Sequence, residues 1–295
     1  MALTQPRLLD LGPTRALYPF AQHRLAVPGG AINYVDEGHG PAVLMVHGNP
    51  TWSFYYRRLI SALRATHRVI APDHIGCGLS DKPQDYPYRL ENHIANLGRL
   101  LRELGVGEVD LVVHDWGGAI GLGMAVQRNL RVRRIVVLNT AAFLSPHIPL
   151  RIAVCKIPVF GDVVIRGLNG FAGLATRIAV EQPMTPEVRA GFLLPYRNYH
   201  DRIANLRFVQ DIPMQQSHPT WPLVDGIDRQ LGMFRDTPMQ ILWGGRDWCF
   251  DDQFLHGWMQ RFPAAAVTRF DDAGHYVLED AHAEIVPRVV RFLAE

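Results

Sequence analysis

At 295 residues the chain suits one large α/β domain carrying an insertion, with enough length to bury a substantial core. Thirty Lys and Arg against 28 Asp and Glu leave a formal charge of +2, and the arginines are scattered rather than clustered, which excludes an electrostatic footprint for nucleic acid. A neutral, hydrophobic small molecule is the expected partner. The three cysteines, Cys77, Cys155 and Cys249, are odd in number and lack metal-ligand or CxxC spacing, so they read as reduced thiols of a cytoplasmic protein. No cofactor or metal site is predicted. The opening stretch MALTQPRLLDLGPTRALYPF has no basic segment followed by an apolar run, so no secretory signal is predicted.

In chain order, eight short runs read as strands: 23–29, 31–38, 42–48, 67–73, 109–115, 133–140, 239–247 and 265–275. The first two form a hairpin predicted to turn at Gly29-Gly30, and the later ones are continuously apolar, as strands covered by helices on both faces must be. Helical patterns lie between them, so the fold class is α/β: an eight-stranded, mostly parallel sheet with an antiparallel start. The stretch from Ala141 to Arg235 is too long for an ordinary loop and has its own helical patterns. It is expected to form a helical cap (141–235) over a core made of 1–140 and 236–295. Its most apolar part, Leu150 to Val180, is interrupted by Arg151, Lys156, Asp162 and Arg166, which argues against a membrane span.

The chemistry concentrates at four places. In Val113-His114-Asp115-Trp116-Gly117-Gly118 a buried strand turns sharply into a helix, the context of a nucleophile elbow, and the residue at the tip is Asp115. An N-cap aspartate is the plainer alternative. Stripped of solvent, a carboxylate can displace a leaving group from carbon and form an ester with the substrate. His47-Gly48-Asn49-Pro50 follows the third strand, where this arrangement supplies an oxyanion donor; Gly48 is read as permitting the turn, and Asn49 and Trp116 add neutral side-chain donors for a departing anion. His275, after the last strand, occupies the general-base position in the chain order nucleophile, acid, histidine, whereas His47, His74 and His114 have good structural explanations. Asp247 follows the seventh strand and is the expected acid; Asn139, at the alternative position, bears no charge, and Asp251 and Asp252 lie where helix capping explains them. The turn Asp73 to Ser80 lacks the Lys-Ser or Lys-Thr of a phosphate cradle, and Cys77 within it reads as structural.

The strings HGNPTWSFYYRRLI, DHIGCGLSDKP, VVHDWGG, GGRD and DDAGHYVLED together resemble the haloalkane dehalogenase family over nearly the whole chain outside the cap. LNTAAF, GGRDWCFDD and DDAGHYVLED look closest to the dehalogenase-like β-lactone decarboxylases of bacterial long-chain olefin biosynthesis. The resemblance implies the α/β-hydrolase fold, with Asp115 as nucleophile, Asp247 as acid, His275 as base, and Asn49 with Trp116 as the pair that holds the leaving group. It also suggests association with other olefin-pathway enzymes. A cap tryptophan used by some dehalogenases cannot be matched to Trp221 by spacing. The leading reading is a β-lactone decarboxylase making an alkene and carbon dioxide from a long-chain cis-β-lactone, with the point of attack, carbonyl or sp³ carbon, left open. The alternative is a haloalkane dehalogenase, which releases alcohol and halide through the same aspartate. An epoxide hydrolase would need phenols in the cap, for which Tyr196 and Tyr199 are available, and a non-catalytic receptor would need a broken triad.

Overall fold

A computed structural model of the chain describes residues 10–145, 156 and 161–295. Cys155, the beginning of the opening stretch and part of the apolar run from Leu150 lie outside the described residues. The eight predicted strands all form: β1 (His23–Val27), β2 (Gly30–Glu37), β3 (Ala42–Val46), β4 (Arg68–Pro72), β5 (Glu108–Asp115), β6 (Arg131–Thr140), β7 (Met239–Gly244) and β8 (Ala266–Phe270). They make one sheet in the order β1-β2-β4-β3-β5-β6-β7-β8. β2 is antiparallel to both β1 and β4, and every other pair is parallel. The hairpin register pairs Val27 with Gly30, so the turn is Pro28-Gly29, one residue earlier than the glycine pair predicts. Gly30 already belongs to β2, and Gly29 supplies the positive φ of 86°.

Period-two alternation divides the strand side chains between two cores. Leu44, Val46, Leu111, Val113 and Ile241 face α2 (Leu90–Glu103) and α3 (Trp116–Arg128), while Val43, Met45, Val112, Val136 and Leu242 face α1 (Arg57–Leu63) and the terminal helix. α2 turns Leu90, Ile94, Leu97 and Leu101 inward at helical spacing. α3 has buried side chains around most of its circumference, as a helix sandwiched between the sheet and further helices must. Between β6 and β7 come a π-helical turn (Asp162–Gly167), α4 (Ala172–Ile178), α5 (Pro186–Leu193), α6 (Ile203–Gln210) and α7 (Trp221–Gln230). After β7 follow α8 (Asp252–Arg261), α9 (Val277–Asp280) and α10 (His282–Ala294). α7 joins the α3-side core through Val224 and Ile227. Among the described residues no helix is long and apolar enough to cross a membrane.

A buried ion pair ties α1 to α9, 222 residues apart in sequence. Arg57 donates to both carboxylate oxygens of Glu279, at 2.6 and 2.8 Å, with the side chains only 4% and 6% exposed, and its guanidinium lies 4.3 Å from the Phe54 ring centroid. Arg58 adds a third contact to Glu279 at 2.8 Å. Removing one member of such a pair strands a charge away from water. Glu279→Ala is therefore expected to cost about 3–5 kcal/mol, read as a lower urea midpoint; an unchanged midpoint would show the pair to be dispensable.

Candidate active site

The carboxyl ends of β3, β5, β6, β7 and β8 converge, as expected for ligand sites on open α/β sheets. Asp115 ends β5 with φ 53° and ψ −128°, a conformation a non-glycine residue adopts only when its surroundings impose it. Thr140 donates its hydroxyl to the Asp115 carbonyl, pinning the elbow to β6. Although Asp115 occupies the N-cap position of α3, its side chain makes no capping bond to the helix. Its Oδ1 accepts instead from the Asn49 backbone N–H at 2.5 Å. The plain capping explanation is thus insufficient, because the carboxylate is held from across the gap by the loop after β3.

That loop explains Gly48 differently from its sequence reading. Its backbone has no positive φ; a Cβ there would collide with the Asp115 carboxylate, so the glycine is required by close approach and not by the turn. The Asn49-Pro50 peptide is cis. The Asn49 side chain is buried, and its Nδ2 donates one hydrogen to the Asn205 carbonyl of α6 at 3.1 Å, leaving a second N–H on the same nitrogen.

His275 follows β8 and lies between two carboxylates. Its Nδ1 is 2.7 Å from Asp247 Oδ2, and its Nε2 is 3.7 Å from Asp115 Oδ2, a gap that a direct hydrogen bond does not span. All three residues are at most 5% exposed. Asp247 is held by the backbone N–H groups of Cys249 (2.6 Å) and Phe250 (3.0 Å) and by Asn139 Nδ2 (3.0 Å). Asn139 also bonds Gly244 through both ends of its amide, clamping β6 to β7 beneath Asp247. Asn139 has no charge to offer, but it sets the position of the residue that does, a role the sequence pattern does not signal. Phe250 stacks on the His275 ring with centroids 5.7 Å apart. Asp251 caps α8 through the Gln253 N–H, and Asp252 pairs with Arg269.

Burial pushes the Asp115 carboxyl above the usual carboxylate range, opposed by the His275 charge and by the backbone N–H groups of Asn49 and Trp116. Burial pulls His275 down, but the charge and hydrogen bond of Asp247, with Asp115 adding to them, outweigh it and leave the imidazole above its ordinary 6.5. Asp247→Asn removes the largest raising influence while burial remains. The His275 titration midpoint, followed by ring-proton NMR, is expected to move to lower pH; a midpoint unmoved or raised would refute the assignment of cause.

Three other buried histidines bond backbone carbonyls near the site. Burial lowers His47 to about 3, and its Nδ1 donates to the Gly48 carbonyl at 2.7 Å. His74 Nε2 donates to the His47 carbonyl at 2.9 Å, and His114 Nε2 to the His275 carbonyl at 2.9 Å, so both hold backbone near the site. Cys77 is a buried free thiol pushed up to about 12, mainly by desolvation, and Cys249 is also free. In the turn after β4, the Asp73 carboxylate binds the N–H groups of Ser53 and Leu79 and the Asn33 amide, so it organises loops.

Above Asp115 is a cavity of about 540 Å³ whose walls are mainly apolar; Asn49, Asp115, Trp116 and His275 reach it. Tyr196 is buried with its hydroxyl 3.4 Å from the Thr51 carbonyl, and Tyr199 is 47% exposed and paired with Asp162. Neither tyrosine lines the cavity, which removes the phenols an epoxide hydrolase would need from those two positions. Trp221, at the start of α7, is not among the lining residues either.

Residues 41–157 match the family model described as alpha/beta hydrolase fold. A cis-3-alkyl-4-alkyloxetan-2-one decarboxylase of Shewanella oneidensis is 46% identical over 286 residues, covering 95% of this chain and 90% of the relative. One of the same description from Xanthomonas campestris is 44% identical, covering 94% and 97%. The crystal structure of the haloalkane dehalogenase DbeA from Bradyrhizobium elkanii superposes with a TM-score of 0.84 at 25% identity, covering 93% of this chain and 98% of that one. The chain belongs to the haloalkane dehalogenase-like α/β-hydrolase family. This dehalogenase-like enzyme carries a buried aspartate at its elbow, with an Asp-paired histidine facing it.

Proposed function

We propose that this enzyme is a β-lactone decarboxylase acting on cis-3,4-dialkyl-β-lactones with long alkyl arms, with Asp115 as nucleophile and residues 141–235 serving as the cap over its cavity. The observation that carries the reading is the buried, N–H-held carboxylate of Asp115 at the floor of a large apolar cavity. The 44–46% identity to proteins described as cis-3-alkyl-4-alkyloxetan-2-one decarboxylases supports it.

The chemistry runs without water. The Asp115 oxygen attacks the sp³ ring carbon that bears the lactone oxygen; that C–O bond breaks and its electron pair leaves with the carboxylate of the opened ring. The free N–H of Asn49 Nδ2 and the indole N–H of Trp116 hold this developing anion, as they would hold a halide. The bond to the carboxylate carbon then breaks, its electrons form the C=C bond, and the Asp115 carboxylate is expelled from the neighbouring carbon as CO₂ departs. Lactone equals alkene plus CO₂, so no proton or water enters the balance. His275, held by Asp247, supplies positive charge that keeps Asp115 ionised as both nucleophile and leaving group.

The haloalkane dehalogenase reading uses the same carboxylate and donors, followed by attack of water on the Asp115 ester with His275 as base. Purified protein is offered a cis-3,4-dialkyl-β-lactone and, separately, a bromoalkane. Alkene and CO₂ in equal amounts are expected from the first; bromide release at comparable efficiency with no alkene would favour hydrolysis. Because Asp115 must be ionised and its pKa is raised, alkene formation is expected to fall on acidification at a pH above the ordinary carboxylate range.

A further inference from the structure

The cavity straddles the sheet. Ala119, Phe143, Val224 and Phe254 on one wall belong to the hydrophobic cluster of the α3 face, whereas Ala175, Ala179 and Tyr276 on the other belong to the cluster of the α1 face. Asp115, at the end of β5, lines the same cavity.

The two sides differ in what stands behind them. The Phe143 ring is backed by the Arg261 guanidinium 4.0 Å from its centroid and by the Trp258 ring at 5.3 Å, edge-on. Arg261 is itself locked to Asp228 by two hydrogen bonds of 2.7 and 2.8 Å. Gly257 leaves no slack, since a Cβ there would lie 2.8 Å from the same ring. Ala119, Phe143, Val224 and Phe254 are each under a tenth exposed, so the wall at Phe143 is packed protein. The other side runs out to Leu174, which lines the cavity and is nevertheless 47% exposed. Leu174 thus joins the apolar lining to the solvent-facing surface.

We infer that the enzyme treats the two alkyl arms of its substrate unequally: the arm over the α3 face stops at Phe143, which sets its maximum length, while the other arm passes Leu174 and leaves the protein with no length limit. The inference rests on the β-lactone reading and adds to it the specificity-determining residue. A methylene forced against a packed, ion-pair-backed ring must displace side chains that have nowhere to go. One added beyond the half-exposed Leu174 meets water and displaces no packed side chain.

Two series of cis-3,4-dialkyl-β-lactones test it, one lengthening the substituent at C3 with C4 kept short, the other the reverse, with kcat/KM read from alkene. One series is expected to fall by about tenfold or more for each methylene past a threshold, and the other to stay nearly flat. Phe143→Ala should move that threshold to longer chains in the sensitive series alone. Ala119→Val, which keeps the ring and its backing, should move it to shorter ones, so the test survives if the first variant folds poorly. Equal length profiles in the two series, or a threshold that ignores both substitutions, overturns the unequal-arm inference while leaving decarboxylation standing. Failure of even the shortest lactones to give alkene would instead remove the β-lactone reading on which it rests.

Discussion

Asp115→Asn is expected to abolish alkene formation, with kcat/KM falling by roughly 10⁴-fold or more, the scale of removing the nucleophile from a triad. The substitution preserves shape but replaces a carboxylate with an amide that is neither a competent nucleophile nor a leaving group. Fold and cavity should persist, because the amide can still present an oxygen to the Asn49 N–H that now lies 2.5 Å from Oδ1. Stability should hold or rise: burial already disfavours the charged form of Asp115, so neutralising it relieves a desolvation cost that function imposes. Thermal unfolding alongside the alkene assay separates the two effects. Asp115→Ala guards against slow deamidation restoring the aspartate. Substantial alkene from a folded Asp115→Ala protein would mean that the lactone reacts without covalent attachment at this residue.

His275→Gln should distinguish the two reactions that one constellation can perform. Hydrolysis of an alkyl ester on Asp115 needs a base for the attacking water, and losing a positioned base costs about 10²–10⁴-fold. With a bromoalkane the variant is therefore expected to release about one bromide per protein and to retain the alkyl group, visible as a mass increase on the peptide containing Asp115. Decarboxylation needs no such base. With a β-lactone the same variant should turn over repeatedly but more slowly, and its acid limb should move to higher pH, because the His275 charge no longer holds down the Asp115 pKa. Stoichiometric trapping of the opened lactone on Asp115 would refute the water-free collapse and assign His275 a proton-transfer role.

Local pattern made much of this protein legible. Eight apolar or alternating runs marked the strands because period-two burial and the continuous apolarity of covered strands are properties of a few adjacent residues. The order Asp115, Asp247, His275 was legible because each follows a strand, and strand ends on one edge of a parallel sheet are brought together by the topology itself. The family likeness rests on those same short strings.

Tertiary structure decided what those residues touch. Gly48 looked like a turn residue and proves to be a steric requirement of a carboxylate 67 positions away. Asn139 looked like an empty acid position and is the clamp that holds Asp247. Tyr196 and Tyr199 were candidate donors in composition, yet their side chains are spent on Thr51 and Asp162, away from the cavity. The Arg57 and Glu279 pair, 222 residues apart in sequence, leaves no periodic trace. The physical reason is common to all four. Strand and helix propensity is written in neighbours, whereas hydrogen-bond partners, steric contacts and the backing of a cavity wall depend on ångström-scale distances between segments that only the packed fold brings together.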